Sequence, residues 1–89
     1  MQTWVLSKHA MTVVAERAIR PEWIDLALSS PDAVVADMFD ARLSHALRSI
    51  TDADNRVLRV VYNARASPTI VVTVFFDRRE RRRREGHLR

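Results

Sequence analysis

Two periodicities divide the chain. From Lys8 to Ala18 the apolar positions Ala10, Met11, Val13, Val14 and Ala18 recur at helical spacing and leave Lys8, Thr12 and Glu16 toward solvent. This predicts an amphipathic helix. Ser7 stands where its hydroxyl can accept an amide proton one turn in, so it is the expected N-cap. Trp4 to Leu6 form a short apolar lead, read as an edge strand or as a hydrophobic staple onto the helix. Pro21 suits the first turn of a second helix, where a missing amide proton costs nothing. That helix runs to about Ser29, with Trp23, Ile24, Ala27 and Leu28 on one face. Ser29, Ser30, Pro31 and Asp32 end the helical half.

Beyond Asp32 the pattern changes to strands. Ala33 to Phe39 reads as one strand, Asp40 and Ala41 as a tight connection, and Leu43 to Ile50 as a second strand. The polar turn Thr51 to Arg56 leads into a hairpin from Val57 to Asp77, whose loop spans Asn63 to Pro68. In its first arm Leu58, Val60 and Tyr62 alternate with Val57, Arg59 and Val61. In the second, Ile70, Val72, Val74 and Phe76 alternate with Val71, Thr73 and Phe75. One face is therefore wholly apolar, while the other carries Arg59 and Thr73 among valines and Phe75. A register centred on the loop puts Arg59 near Thr73. Helices followed by strands predict an α+β domain over residues 1–77, with two N-terminal helices packed on one face of a roughly four-stranded antiparallel sheet.

Composition narrows the class. Eighty-nine residues, 47% of them apolar, suffice for one core and not for two. The absence of cysteine removes disulfides, thiolate metal sites and cysteine nucleophiles, and fits a reducing, cytoplasmic setting. The N-terminal residues lack a basic segment followed by an apolar core, and the run from Ile70 to Phe76 is too short to span a bilayer, so neither secretion nor membrane insertion is expected. The net charge of +4 is unevenly placed. Residues 78–89 hold seven Arg against two Glu, whereas the rest holds eight Lys or Arg against nine Asp or Glu. A near-neutral domain thus ends in a basic tail. Arg78, Arg79, Arg81, Arg82, Arg83 and Arg84 could hold RNA phosphates without sequence specificity, or the tail could be a flexible, solvated terminus.

Several short elements occur in a characteristic order: His9-Ala10, then Glu16-Arg17-Ala18-Ile19, Trp23-Ile24, Pro31, Leu58 to Tyr62, and Val71 to Arg79. Together they resemble the small bacterial proteins of domain-of-unknown-function family 4258, over nearly the whole chain. Two positions depart from that pattern, with Val13 at the family's usual arginine and Ala18 at its usual glycine. More distantly the arrangement is similar to BrnT and other RelE-like toxins of bacterial toxin–antitoxin pairs. That similarity implies an endoribonuclease needing neither metal nor organic cofactor, with a small antitoxin protein as partner and RNA as substrate.

RNA cleavage by internal transfer needs a base for the 2′-hydroxyl, an acid for the leaving oxygen and positive charge at the phosphate. His9, His45, Arg42, Arg48 and Arg59 are the candidates, with His9 as acid or base and Arg48 and Arg59 on the phosphate. Each has a structural alternative. His9 could tie its helix to a strand end, and Arg59 could pair with Asp77 or Glu16. On the strand from Leu43 to Ile50, His45 shares a face with Leu43, and Arg48 shares the other with Arg42. On charge grounds Arg48 is taken as the companion of Arg59. His9, His45 and His87 do not form a compact metal-ligand motif. With Gly86 as the one glycine, a Gly-rich phosphate loop is excluded. The rival reading is a noncatalytic interaction module or homodimer that buries Val57, Val61, Val71 and Phe75 against another chain.

Overall fold

A computed structural model describes residues 3–80. Its elements are β1 (Trp4–Leu6), α1 (Lys8–Glu16), α2 (Pro21–Ser29), β2 (Ala33–Ala36), β3 (Leu43–Ile50), a 3₁₀ turn (Thr51–Ala53), β4 (Arg56–Asn63) and β5 (Thr69–Phe76). Ser7 caps α1 as expected, its Oγ accepting from the Ala10 amide at 3.1 Å. Pro21 opens α2.

The first helix stops at Glu16, two residues short of the predicted end. The amide of Ile19 donates to the Val14 carbonyl at 3.0 Å and that of Ala18 to the Ala15 carbonyl at 3.4 Å. This is a Schellman closure, and it requires a left-handed residue at position 18. Ala18 supplies it at φ 51°. An alanine Cβ is strained there and a glycine would not be, so Ala18→Gly is expected to stabilise the fold by about 1 kcal/mol, read as a raised urea midpoint.

The sheet has five strands in the order β1-β5-β4-β3-β2. Trp4 to Leu6 pair in parallel with Thr69 to Val71, so the sheet is mixed rather than four-stranded and antiparallel. Three residues that also precede a helix carried too little pattern to show this. The remaining pairs are antiparallel. Asp54 and Asn55, both left-handed, turn β3 into β4, a conformation short polar side chains tolerate.

Both helices cover one face. Ala10, Val13, Ile24 and Ala27 pack with Trp4 and Ile19 against Ala46, Ile50, Leu58, Val60, Val71 and Val74. Val71 and Val74, three residues apart, share this face because a bulge interrupts the β4–β5 ladder. Val61 pairs with Thr73 and Tyr62 with Val71, which leaves Val72 extra. Strict alternation had put Val71 on the other face. Arg59 consequently lies opposite Phe75, and Thr73 opposite Val61.

The two ends of the sheet differ. At one end β1 has only three residues, and beyond it the outer carbonyls of β5 are occupied: Ser7 Oγ donates to Val72 at 3.3 Å and Arg17 Nη1 to Val74 at 2.9 Å. At the other end β2 is exposed along its whole length. It ends at Ala36, three residues before the predicted end, because Asp37 folds the chain over. Its Oδ2 accepts the amides of Phe39 at 3.0 Å and Asp40 at 2.8 Å. Met38 and Phe39 thus stand in a turn, 85% and 92% exposed. No helix among the described residues is long and apolar enough to cross a membrane.

Candidate functional site

On the face away from the helices, β3 contributes His45 and Leu47 and β4 contributes Val57, Arg59 and Val61. Leu47, Val57 and Val61 are buried. A polar chain crosses this apolar ground. His45 pairs with Val61 and Arg59 with Leu47, so the two polar residues are diagonal neighbours, within reach for long side chains. Arg59 Nη1 lies 2.8 Å from His45 Nδ1, and Arg59 Nε lies 2.8 Å from Asp77 Oδ2. At the other side, His45 Nε2 lies 2.7 Å from Asp37 Oδ1.

The protonation pattern follows from the donors. A guanidinium can only donate, so Nδ1 of His45 accepts; Nε2 then carries the proton and donates to Asp37. The histidine is the neutral Nε2–H tautomer. Each aspartate uses its second oxygen on the backbone: Asp37 holds the turn at Phe39 and Asp40, while Asp77 Oδ1 accepts the amides of Arg79 at 3.0 Å and Glu80 at 3.1 Å. Residues 78–80 are helical behind that cap, and Glu80 Oε2 comes to 3.9 Å from Arg59 Nη2. The chain from Asp37 to Asp77 therefore ties the β2–β3 turn to the end of β5. Side chains along it are only 14 to 20% exposed.

Both aspartates titrate below the usual carboxylate range. For Asp37 the hydrogen bond to His45 is the main cause, aided by the Asp40 and Phe39 amides. For Asp77 burial pushes upward, but the Glu80 amide, the Arg59 guanidinium and the Arg79 amide together outweigh it. A carboxyl with a lowered folded value contributes stability above its unfolded value and loses it as pH falls through the folded one. The urea midpoint is accordingly expected to drop below about pH 4, and Asp77→Asn to flatten that drop. Asp40, held at about 2 by the Arg42 fork, is only half-buried and its partner Arg42 is exposed, so this pair adds little.

The sequence-predicted residues are not brought together. Arg48 is paired with Leu58 on the helix face, opposite in face to Arg59, and donates from Nη1 to the Ser30 carbonyl at 2.8 Å beyond the end of α2. His45, not Arg48, accompanies Arg59. Arg42 is bound to Asp40. His9 is exposed at the start of α1, with Nε2 3.4 Å from Thr73 Oγ1, a contact between helix and strand. Val13 is buried in the core. Of the basic tail, Arg78 and Arg79 are exposed, whereas Arg81, Arg82, Arg83 and Arg84 lie outside the described residues. Nor are Val57, Val61 and Val71 available to a partner, since all three are buried. Among the described residues no group of three His, Asp or Glu could hold a metal ion.

Asp37 and Glu80 were missed from the sequence. A strand read through Asp37 and a tail that begins at residue 78 hide both; the signal that points to Asp37 is the Asp-Met-Phe-Asp run, which has the residue types of an Asx turn.

Two N-terminal helices on a five-stranded mixed sheet, with a polar chain on the opposite face, define a small α+β domain. The chain belongs to the domain of unknown function family DUF4258, whose model matches residues 6–76. Neither the curated proteins nor the solved structures yield a match. No likeness to BrnT or RelE-like toxins emerges from these comparisons.

Proposed function

We propose that this DUF4258 chain is a noncatalytic protein-interaction domain. The observation that carries the reading is that Val34, Val35, Met38 and Phe39 are all exposed, the two valines on opposite faces of the open edge strand and the other two in the turn that follows it. What recommends it over phosphate chemistry is the state of Arg59. Two of its nitrogens are engaged and the third faces Glu80, and with His45 neutral the cluster of Asp37, Arg59, Asp77 and Glu80 carries a net charge of −2. A phosphodiester would meet repulsion there and would have to displace a carboxylate.

The second reading is a metal-independent endoribonuclease of a toxin–antitoxin pair, with His9 as acid or base and Arg48 and Arg59 at the phosphate. One observation favours it: the His9 imidazole is exposed beside the Thr73 hydroxyl, at the rim of the sheet. Controlled expression of the wild type and of His9→Ala, both shown to accumulate as soluble folded chains, separates the two. Intact total RNA and equal growth in both strains are expected. RNA cleavage by wild type that is lost in His9→Ala would overturn the interaction reading.

A further inference from the structure

We infer that His45 is a proton-operated latch: when neutral it ties the turn carrying Met38 and Phe39 to the end of β5, and when protonated it lets go of Arg59 and frees that turn. This rests on the interaction reading and specifies how its surface is regulated.

The bonds run in one direction. Arg59 Nη1 donates to His45 Nδ1 at 2.8 Å, and His45 Nε2 donates to Asp37 Oδ1 at 2.7 Å. The one ring site left for a second proton is Nδ1, which already faces a donor. Protonation there sets N–H against N–H and brings two cations together, so the link between the β3 and β4 side chains opens. Each half keeps a partner of opposite charge. His45 stays with Asp37, whose Oδ2 holds the amides of Phe39 and Asp40. Arg59 stays with Asp77 at 2.8 Å and faces Glu80 at 3.9 Å. Neither half strands a charge, so the polar chain parts at this link while the fold persists.

The groups around the ring set the balance. Asp37, from the turn after β2, favours the added proton. Arg59, from β4, opposes it, and Asp77 and Glu80 behind Arg59 offset part of that opposition. The cross-strand neighbours of His45, Val35 on β2 and Val61 on β4, carry no charge. The His45 and Arg59 side chains are each 17% exposed, so little water stands ready to replace their bond. Asp37 and Asp77 titrate below the usual carboxylate range and stay charged where histidine changes state, between about pH 8 and about pH 5. What the latch releases is the tip of the interaction surface, since Met38 and Phe39 stand exposed in the turn that Asp37 closes. A tip held in place binds more tightly than one that must be ordered on contact, so acid weakens the docking of a partner.

The test uses the full chain alone, ¹⁵N-labelled and titrated from about pH 8 to about pH 5. At the upper end the ring ¹⁵N shifts of His45 are expected to show a protonated Nε2 and a bare Nδ1. On acidification Nδ1 gains a proton, and the Arg59 Nε signal and the amides of Phe39 and Asp40 move with the same midpoint. Backbone order parameters of residues 38–40 fall from about 0.85 to below about 0.6. His45→Gln offers Arg59 an acceptor and Asp37 a donor but takes up no proton, so residues 38–40 should stay ordered throughout. A neutral ring protonated on Nδ1, a His45 titration that leaves Arg59 and residues 38–40 unmoved, or the same loosening in His45→Gln would overturn the inference. The first two are read on the wild type and decide the matter even if the variant does not fold. No partner and no RNA enter the measurement, so the latch can fail while the interaction reading stands.

Discussion

Arg59→Leu is expected to destabilise the fold by about 3 kcal/mol, the cost of breaking a half-buried charge network by removing one member. The substitution leaves Asp77 without the guanidinium at 2.8 Å, Glu80 without its facing cation and His45 Nδ1 without a donor, all in surroundings that exclude most water. Leucine itself would sit well between Leu47 and Phe75, its cross-strand neighbours, so the loss would reflect the stranded acids rather than poor packing. Removing an acid as well should therefore recover part of it. In a double-mutant cycle of Arg59→Leu with Asp77→Asn, the pair is expected to be about 1 to 2 kcal/mol better than the sum of the single changes. Urea unfolding followed by the fluorescence of Trp4 and Trp23 reads this directly, because both rings belong to the core or pack on it. A loss under about 1 kcal/mol for Arg59→Leu would mean that the network does not hold the fold, and that Arg59 is available for a ligand.

The residue before it tests the other layer. Leu58 is fully buried beneath the helices on the central strand β4, between cross-strand partners Arg48 and Phe76. Leu58→Ala removes transfer free energy and opens a cavity among residues fixed by two neighbouring strands, so a loss of about 3 to 4 kcal/mol is expected. This effect should be nearly independent of pH, whereas the contribution of Asp37 and Asp77 on the other face should vanish in acid. Comparing urea midpoints of Leu58→Ala and Asp77→Asn at neutral and acidic pH separates the two layers. A pH-dependent penalty for Leu58→Ala would mean that the layers are coupled.

The helices and the central hairpin were legible because their signals are local. Ser7, Pro21 and the apolar stripes of α1 and α2 each specify a conformation through neighbouring residues, and period two in the hairpin survives except where Val72 breaks it. The bulge was not legible, since Ile70 to Phe76 offers apolar residues in either register. The fifth strand depends on a parallel pairing across more than sixty residues, which Trp4 to Leu6 cannot announce. Of the site, the sequence supplied Arg59 with Asp77 as a structural partner, and His45 on the face opposite Arg48. It chose the wrong companion for Arg59 because charge type does not reveal the pairing of β3 with β4. Asp37 was hidden by extending β2 through a segment that its own carboxylate turns.

The most direct test is photo-crosslinking in the cells that make the protein, with a photoreactive residue at position 39 and, as control, at position 12 on the exposed side of α1. A discrete protein adduct is expected from position 39 alone. Adducts to RNA, or protein adducts equal at both positions, would contradict the assignment of the β2 edge as the working surface of the domain.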